Sequence, residues 1–203
     1  MRTLATVFSL LALATAVASA DTFRAEPNLS IPDNVPAGVT DTLSASPSCT
    51  INDVDIVLEV DHTWVGDLII TITHAGTTVT VVDRPGRAPG GANVGCSADM
   101  ACARQVILDD ETAGNPPPAI ECALPSVCTS CFLNGQVPAQ SFLPNEVLSA
   151  FDTSDQAGDW IISISDNEPL DNGTICAWEI RTGCGPSAVE PATWGTIKAR
   201  YKQ

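Results

Sequence analysis

Basic side chains and histidine are scarce in this 203-residue chain: nine Lys and Arg together stand against 24 Asp and Glu, and there are two histidines. The few cations exclude a phosphate-backbone partner, which needs clustered Lys and Arg. With His62 and His74 the only imidazoles, the routes to a Ser-His-Asp triad are few. No Gly-x-Ser-x-Gly elbow or glycine-rich serine loop supplies a nucleophile. After residue 17 no apolar run approaches the ~18 residues of a membrane helix. Helical periodicity is missing too, since no amphipathic stretch of ~10 residues stands out in the body.

What is present begins with an export pattern. Arg2 precedes an apolar run from Leu4 to Val17 that closes on Ala18, Ser19 and Ala20, so residues 1–20 are expected to be a signal peptide. The chain is then expected to be secreted, periplasmic or displayed at the cell surface. Eight cysteines follow: Cys49, Cys96, Cys102, Cys122, Cys128, Cys131, Cys176 and Cys184. Outside the cytoplasm an even set favours disulfides over a zinc or redox site, with pairing open among about 105 connectivities. All acidic residues precede residue 191, whereas Lys198, Arg200 and Lys202 make the terminus basic.

Between these ends the pattern has period two. In residues 51–60, Val54, Ile56, Leu58 and Val60 are expected to face a core while Asp53, Asp55 and Glu59 face water. Residues 67–73 repeat this with Leu68, Ile70 and Ile72 inward, and residues 77–82 follow the turn at Ala75 and Gly76; together these read as a meander. Later, Trp160, Ile162 and Ile164 form one inward row and Cys176, Trp178 and Ile180 another, joined by what reads as the hairpin loop of residues 166–173. The fold class is therefore all-β, an antiparallel jelly-roll β-sandwich over residues 21–184. Residues 114–137, with Pro116, Pro117, Pro118 and three cysteines, read as an inserted loop; residues 185–192 read as a linker and 193–203 as a tail.

Several blocks carry a family likeness. Residues 29–39, 51–60 and 62–68 (His-Thr-Trp-Val-Gly-Asp-Leu) are followed in order by Val82 to Gly86, Asp109 to Glu111, Phe142 to Phe151, Gly158 to Asp166 and Asp171 to Ile180. This series resembles the P domain (P/Homo B) of kexin- and furin-like proprotein convertases and bacterial subtilisin-type proteases. The resemblance covers about residues 28–182. It implies a jelly roll without catalytic residues of its own that supports the folding of a serine endopeptidase and influences its calcium and pH dependence. Here the expected signal peptide leads almost directly into the domain, so the protease partner is expected on another chain, with a cell-surface component as the other protein partner. A carbohydrate or adhesion module is the alternative, and a hydrolase the remote one.

Candidate sites follow from residue chemistry. Asp67, Asp109, Asp110 and Asp166 stand at strand ends or adjoining turns; where the sandwich brings some of them together they are candidate ligands for Ca2+, a hard cation that takes oxygen ligands, and otherwise they keep the turns solvated. His62 is expected to hold the turn before Gly66, and His74 to be an exposed turn residue. Trp64, Trp160 and Trp178 are expected in the core rather than on a sugar platform. Trp194, Ile197 and Tyr201 fall at helical spacing in the tail, as a docking segment would place them.

Overall fold

A computed structural model describes residues 19–87, 95–113, 120, 137 and 139–185. Most of the cysteine-rich insert, with Cys122, Cys128 and Cys131, and the tail with Trp194, Ile197 and Tyr201 lie outside the described residues. So does the expected signal peptide up to residue 18.

Among the described residues, ten strands form two sheets. The larger contains β1 (Ser19–Ala25), β2 (Leu29–Ile31), β4 (Ile51–His62), β7 (Val106–Leu108), β8 (Ser141–Phe142) and β10 (Gly173–Cys184). The smaller runs β3 (Val39–Ala45), β9 (Gly158–Asp166), β5 (Leu68–His74), β6 (Thr77–Asp83). In the larger sheet β10 lies between β4 on one side and β1 and β2 on the other. All pairs are antiparallel except β7 with β8, which is parallel. An all-β sandwich is thus what the alternation builds. Leu68, Ile70 and Ile72 are buried on β5, and Val54, Ile56, Leu58 and Val60 on β4. With Trp160, Ile162, Ile164, Trp178 and Ile180 they fill one core. Residues that alternate along a strand face opposite sides of its sheet, so two such sheets close face to face.

Three expectations change. The stretch from β4 to β6 is not a meander, because β4 belongs to the larger sheet and β5 and β6 to the smaller; the chain changes sheet at the 3-10 turn Val65–Asp67. Among the described residues only β5 and β6 form a hairpin, closed by Ala75 and Gly76 at φ 48° and 85°, the positive values that two-residue hairpin turns require. Residues 166–173 likewise carry the chain between sheets rather than turning a hairpin. On β10 a register shift between Ile175 and Ala177 puts Ile175 in the core, so Cys176 leaves the row of Trp178 and Ile180.

That displaced cysteine is bonded to Cys102, and Cys49 is bonded to Cys184 at the far end of the same strand. Both bridges therefore end on β10. Disulfides form in oxidising compartments, which fits an extracellular or periplasmic protein. Among the described residues, no helix is long and apolar enough to cross a membrane.

Candidate functional site

The Val65–Asp67 turn and the 166–171 connection meet at one end of the sandwich because Leu68 pairs with Asp166 and His62 with Gly173. Gly66 makes the turn possible: a Cβ there would run into the Cys96 backbone, whose carbonyl accepts the Gly66 N–H at 2.9 Å. Asn167 then clasps the turn, donating its backbone N–H (3.0 Å) and side-chain amide (3.1 Å) to the Asp67 carbonyl.

His62 is fully buried beneath this turn, as a structural histidine should be. Its Nδ1 lies 3.2 Å from the Trp64 N–H and 3.0 Å from the Trp64 carbonyl, and its Nε2 3.3 Å from Asp166 Oδ2. With the proton on Nε2 the ring donates to Asp166 and accepts the Trp64 N–H. His74 departs from expectation. It is 2% exposed rather than an open turn residue, stacked on Trp160 with ring centroids 3.9 Å apart. Its two nitrogens face the carbonyl oxygens of Asp159 (3.0 Å) and Asp155 (2.6 Å), either of which can accept a ring N–H.

The four candidate aspartates do not converge on one point. Asp67 and Asp166 belong to this end, and Asp109 and Asp110 to another acidic patch with Asp53, Glu111 and Asp152. Three of the four have structural work. Asp110 accepts the backbone N–H groups of Leu148 (3.0 Å) and Ser149 (2.8 Å), which open a 3-10 turn at Leu148–Phe151. Asp109 accepts the Glu111 N–H at 2.7 Å. Asp166 accepts the Glu168 N–H at 3.1 Å besides facing His62. Asp67 is 3% exposed, yet its carboxylate accepts no hydrogen bond among the described residues.

Asp67 instead lines a cavity of about 280 Å³ with Trp64, Glu168, Pro169, Leu170 and Asp171. Trp64 is therefore half-buried at a cavity wall, in contrast to Trp160 and Trp178, which are fully buried. The reason is its position: the turn breaks strand alternation just there. Glu168 is held by Arg84 at 2.6 Å and by Arg87, and Asp171 accepts the Thr63 hydroxyl. Sequence spacing alone gave Glu168, Pro169 and Leu170 no role, because their partners lie about 100 residues earlier. The acidic, Asn- and Pro-rich composition of residues 166–173 was the available signal.

Two carboxyls feel this environment strongly. Burial, then the charges of Asp166, Asp171 and Glu168, push Asp67 up to about 7. Burial, then Asp109 and Asp53, push Asp55 up to about 6. An acid whose folded value exceeds its unfolded value disfavours the fold when ionised, so stability rises as pH falls from above 7 towards 4. Glu59, held low by the Arg24 guanidinium, and Asp155, held low by Ser48 and backbone N–H groups, act oppositely below the ordinary carboxylate range. The unfolding midpoint should thus peak near pH 5, above its pH 8 value by about 4–8 °C, equivalent to about 2 kcal/mol after solvent screening. A midpoint unchanged or lower at pH 5 in scanning calorimetry would contradict these assignments.

Among the described residues, three metal-ligating side-chain atoms lie within 4.8 Å of one another at Asp21, Cys49 and Cys184, where both sulfurs are already in a disulfide.

No family model and no curated protein matches the chain. Solved structures do. A crystal structure of the serine protease of Aeromonas sobria aligns with TM-score 0.48 and 12% identity, covering 85% of this chain and 28% of that one. The same protease in complex with its chaperone aligns with TM-score 0.48 and 14% identity, covering 86% and 28%. The chain thus spans under a third of the protease chains it matches.

Proposed function

We propose that this protein is a non-catalytic β-sandwich module that binds a protein partner outside the cytoplasm. The observation that carries the reading is the state of its two histidines. His62 and His74 are buried, and the groups that face their ring nitrogens are backbone groups and Asp166, with no serine or cysteine among them. General-base catalysis needs a nitrogen within reach of a nucleophile's proton, and these nitrogens serve the fold. Trp160 and Trp178, being buried, leave no paired aromatic platform for a sugar ring.

The class of partner rests on the sequence resemblance. Its blocks coincide with β2, β4, β9 and β10, and on that basis the partner is a subtilisin-like serine protease. Calcium belongs to this proposal as a cofactor of the acidic patch formed by Asp53, Asp110, Glu111 and Asp152, whose carboxylates, no three of them within 4.8 Å of one another, would draw together around it; Glu111 and Asp152 are both pushed up by burial and their neighbours' charge. A divalent ion would relieve that crowding.

Affinity capture from the native exported proteins, with and without calcium, is the test. Retention of a defined protein, without glycan, and no turnover of peptide or glycoside reporters are the expected results. Turnover lost on replacing a single Ser or His would overturn the reading, and glycan retention would transfer the protein to the carbohydrate-binding alternative.

A further inference from the structure

We infer that the cavity between the Val65–Asp67 turn and residues 168–171 receives one lysine or arginine side chain from the protein partner. The inference rests on the partner-binding reading and names the chemistry by which one contact is made. Size is the first argument. At about 280 Å³ the cavity lies just below the ~300–1,000 Å³ of small-molecule pockets, which suits a single long side chain.

Lining is the second. Trp64, Pro169 and Leu170 supply apolar walls, while Asp67, Glu168 and Asp171 supply carboxylates. Lysine and arginine have this composition in reverse, an apolar stem ending in a cation, and the indole face adds attraction for that cation. Calcium fits the walls poorly, since it takes six to eight oxygen ligands.

Asp67 is the third and strongest argument. Nearby carboxylates are engaged: Asp166 with His62 and the Glu168 N–H, Glu168 with Arg84 and Arg87, Asp171 with Thr63. Asp67 is 97% buried, lines the cavity and accepts no hydrogen bond among the described residues; the one attractive charge acting on it is the Arg87 guanidinium, which is already bonded to Glu168. A buried carboxylate with only a shared counter-charge is costly, and a cation entering from the cavity lowers that cost.

The rim is built to meet something. Leu170 is 91% exposed, the most exposed of the large apolar side chains among the described residues, and holds φ at 97°, a region L-residues rarely adopt. Its N–H is tied to Asp33 Oδ1 at 2.9 Å. Strained residues of this kind cluster at ligand clamps.

The test uses the mature chain and capped Gly-Lys-Gly and Gly-Arg-Gly peptides, with Gly-norleucine-Gly as the uncharged control, read at the Trp64 indole resonance by NMR. Saturable shifts with both basic peptides and none with norleucine are expected. Asp67→Asn should weaken binding about tenfold or more, the effect of losing one charged hydrogen bond, with its backbone spectrum unchanged. Leu170→Ala, at an exposed position that cannot collapse the core, should weaken it several-fold. No saturable shift, an equal response to norleucine, or an unchanged affinity in Asp67→Asn would overturn the inference. Calcium saturating the same resonance at lower concentration than the peptides would do so too, as would spermidine binding more tightly than either peptide. Peptide binding that appears only after deletion of residues 191–203 would assign the cavity to the chain's own basic tail instead. Capture of the same partner by wild type and Asp67→Asn at equal affinity removes this contact while leaving the partner-binding reading intact.

Discussion

Replacing Trp160 by alanine should lower the free energy of unfolding by about 3–5 kcal/mol, the range for deleting a buried aromatic side chain. Trp160 is fully buried, with His74 stacked on one face and Phe151 tilted against it at 5.1 Å. Its indole N–H donates to the Gln156 carbonyl at 3.0 Å. Gln156 is itself fully buried and receives the Thr182 hydroxyl at 2.6 Å while donating to Asp21 and the Pro47 carbonyl. The substitution therefore opens a cavity and unseats His74 together with a polar knot linking β1, β9 and β10. Unfolding in urea, compared at equal slope, measures the loss. Trp64→Ala serves as the contrast, because a half-buried wall residue should cost well under half as much. A loss below about 1 kcal/mol for Trp160→Ala would mean that the core does not pack as described.

Removing the Cys49–Cys184 bridge by the double Cys→Ser change should cost about 2–5 kcal/mol. The bridge spans 135 residues, so it constrains nearly the whole unfolded sandwich. It also fastens the corner of the fold where Ile51 pairs with Cys184 and Thr50 bridges to Asp155. The Cys102–Cys176 bridge spans 74 residues; on loop length alone its removal should cost only about 0.6 kcal/mol less. Both double variants are compared with wild type by thermal unfolding without reductant. A midpoint unchanged in the Cys49/Cys184 variant would show that the native state gains nothing from that link.

Period-two alternation announced the strands because each sheet has one face on the core, and β5 follows its expected inward row residue for residue. Which sheet a strand joins was not legible. Alternation reports that a face is buried, not against which neighbour, so consecutive strands on opposite layers looked like a meander. The slip at Cys176 was hidden for a similar reason, since a bulge adds one residue without changing composition. His62 was readable from its place beside a tight turn. His74 was not, because its burial depends on Trp160 and on carbonyls from residues 155 and 159, more than 80 positions away. The acidic residues were visible as cation ligands by type, but distance along the chain cannot tell a carboxylate that caps a 3-10 turn, like Asp110, from one that faces an open cavity, like Asp67.

The position of β10 bears on how the molecule is made. The last described strand is an interior member of the larger sheet and carries one end of both bridges, so nothing made before it can complete that layer. Until residue 184 is delivered, β1 and β2 have no ladder and β4 has one open edge, exposed to stray pairing. Closure of the larger sheet is therefore deferred until β10 is present, and truncation within β10 should remove the partner of β1, β2 and β4 and abolish the sandwich rather than trim it.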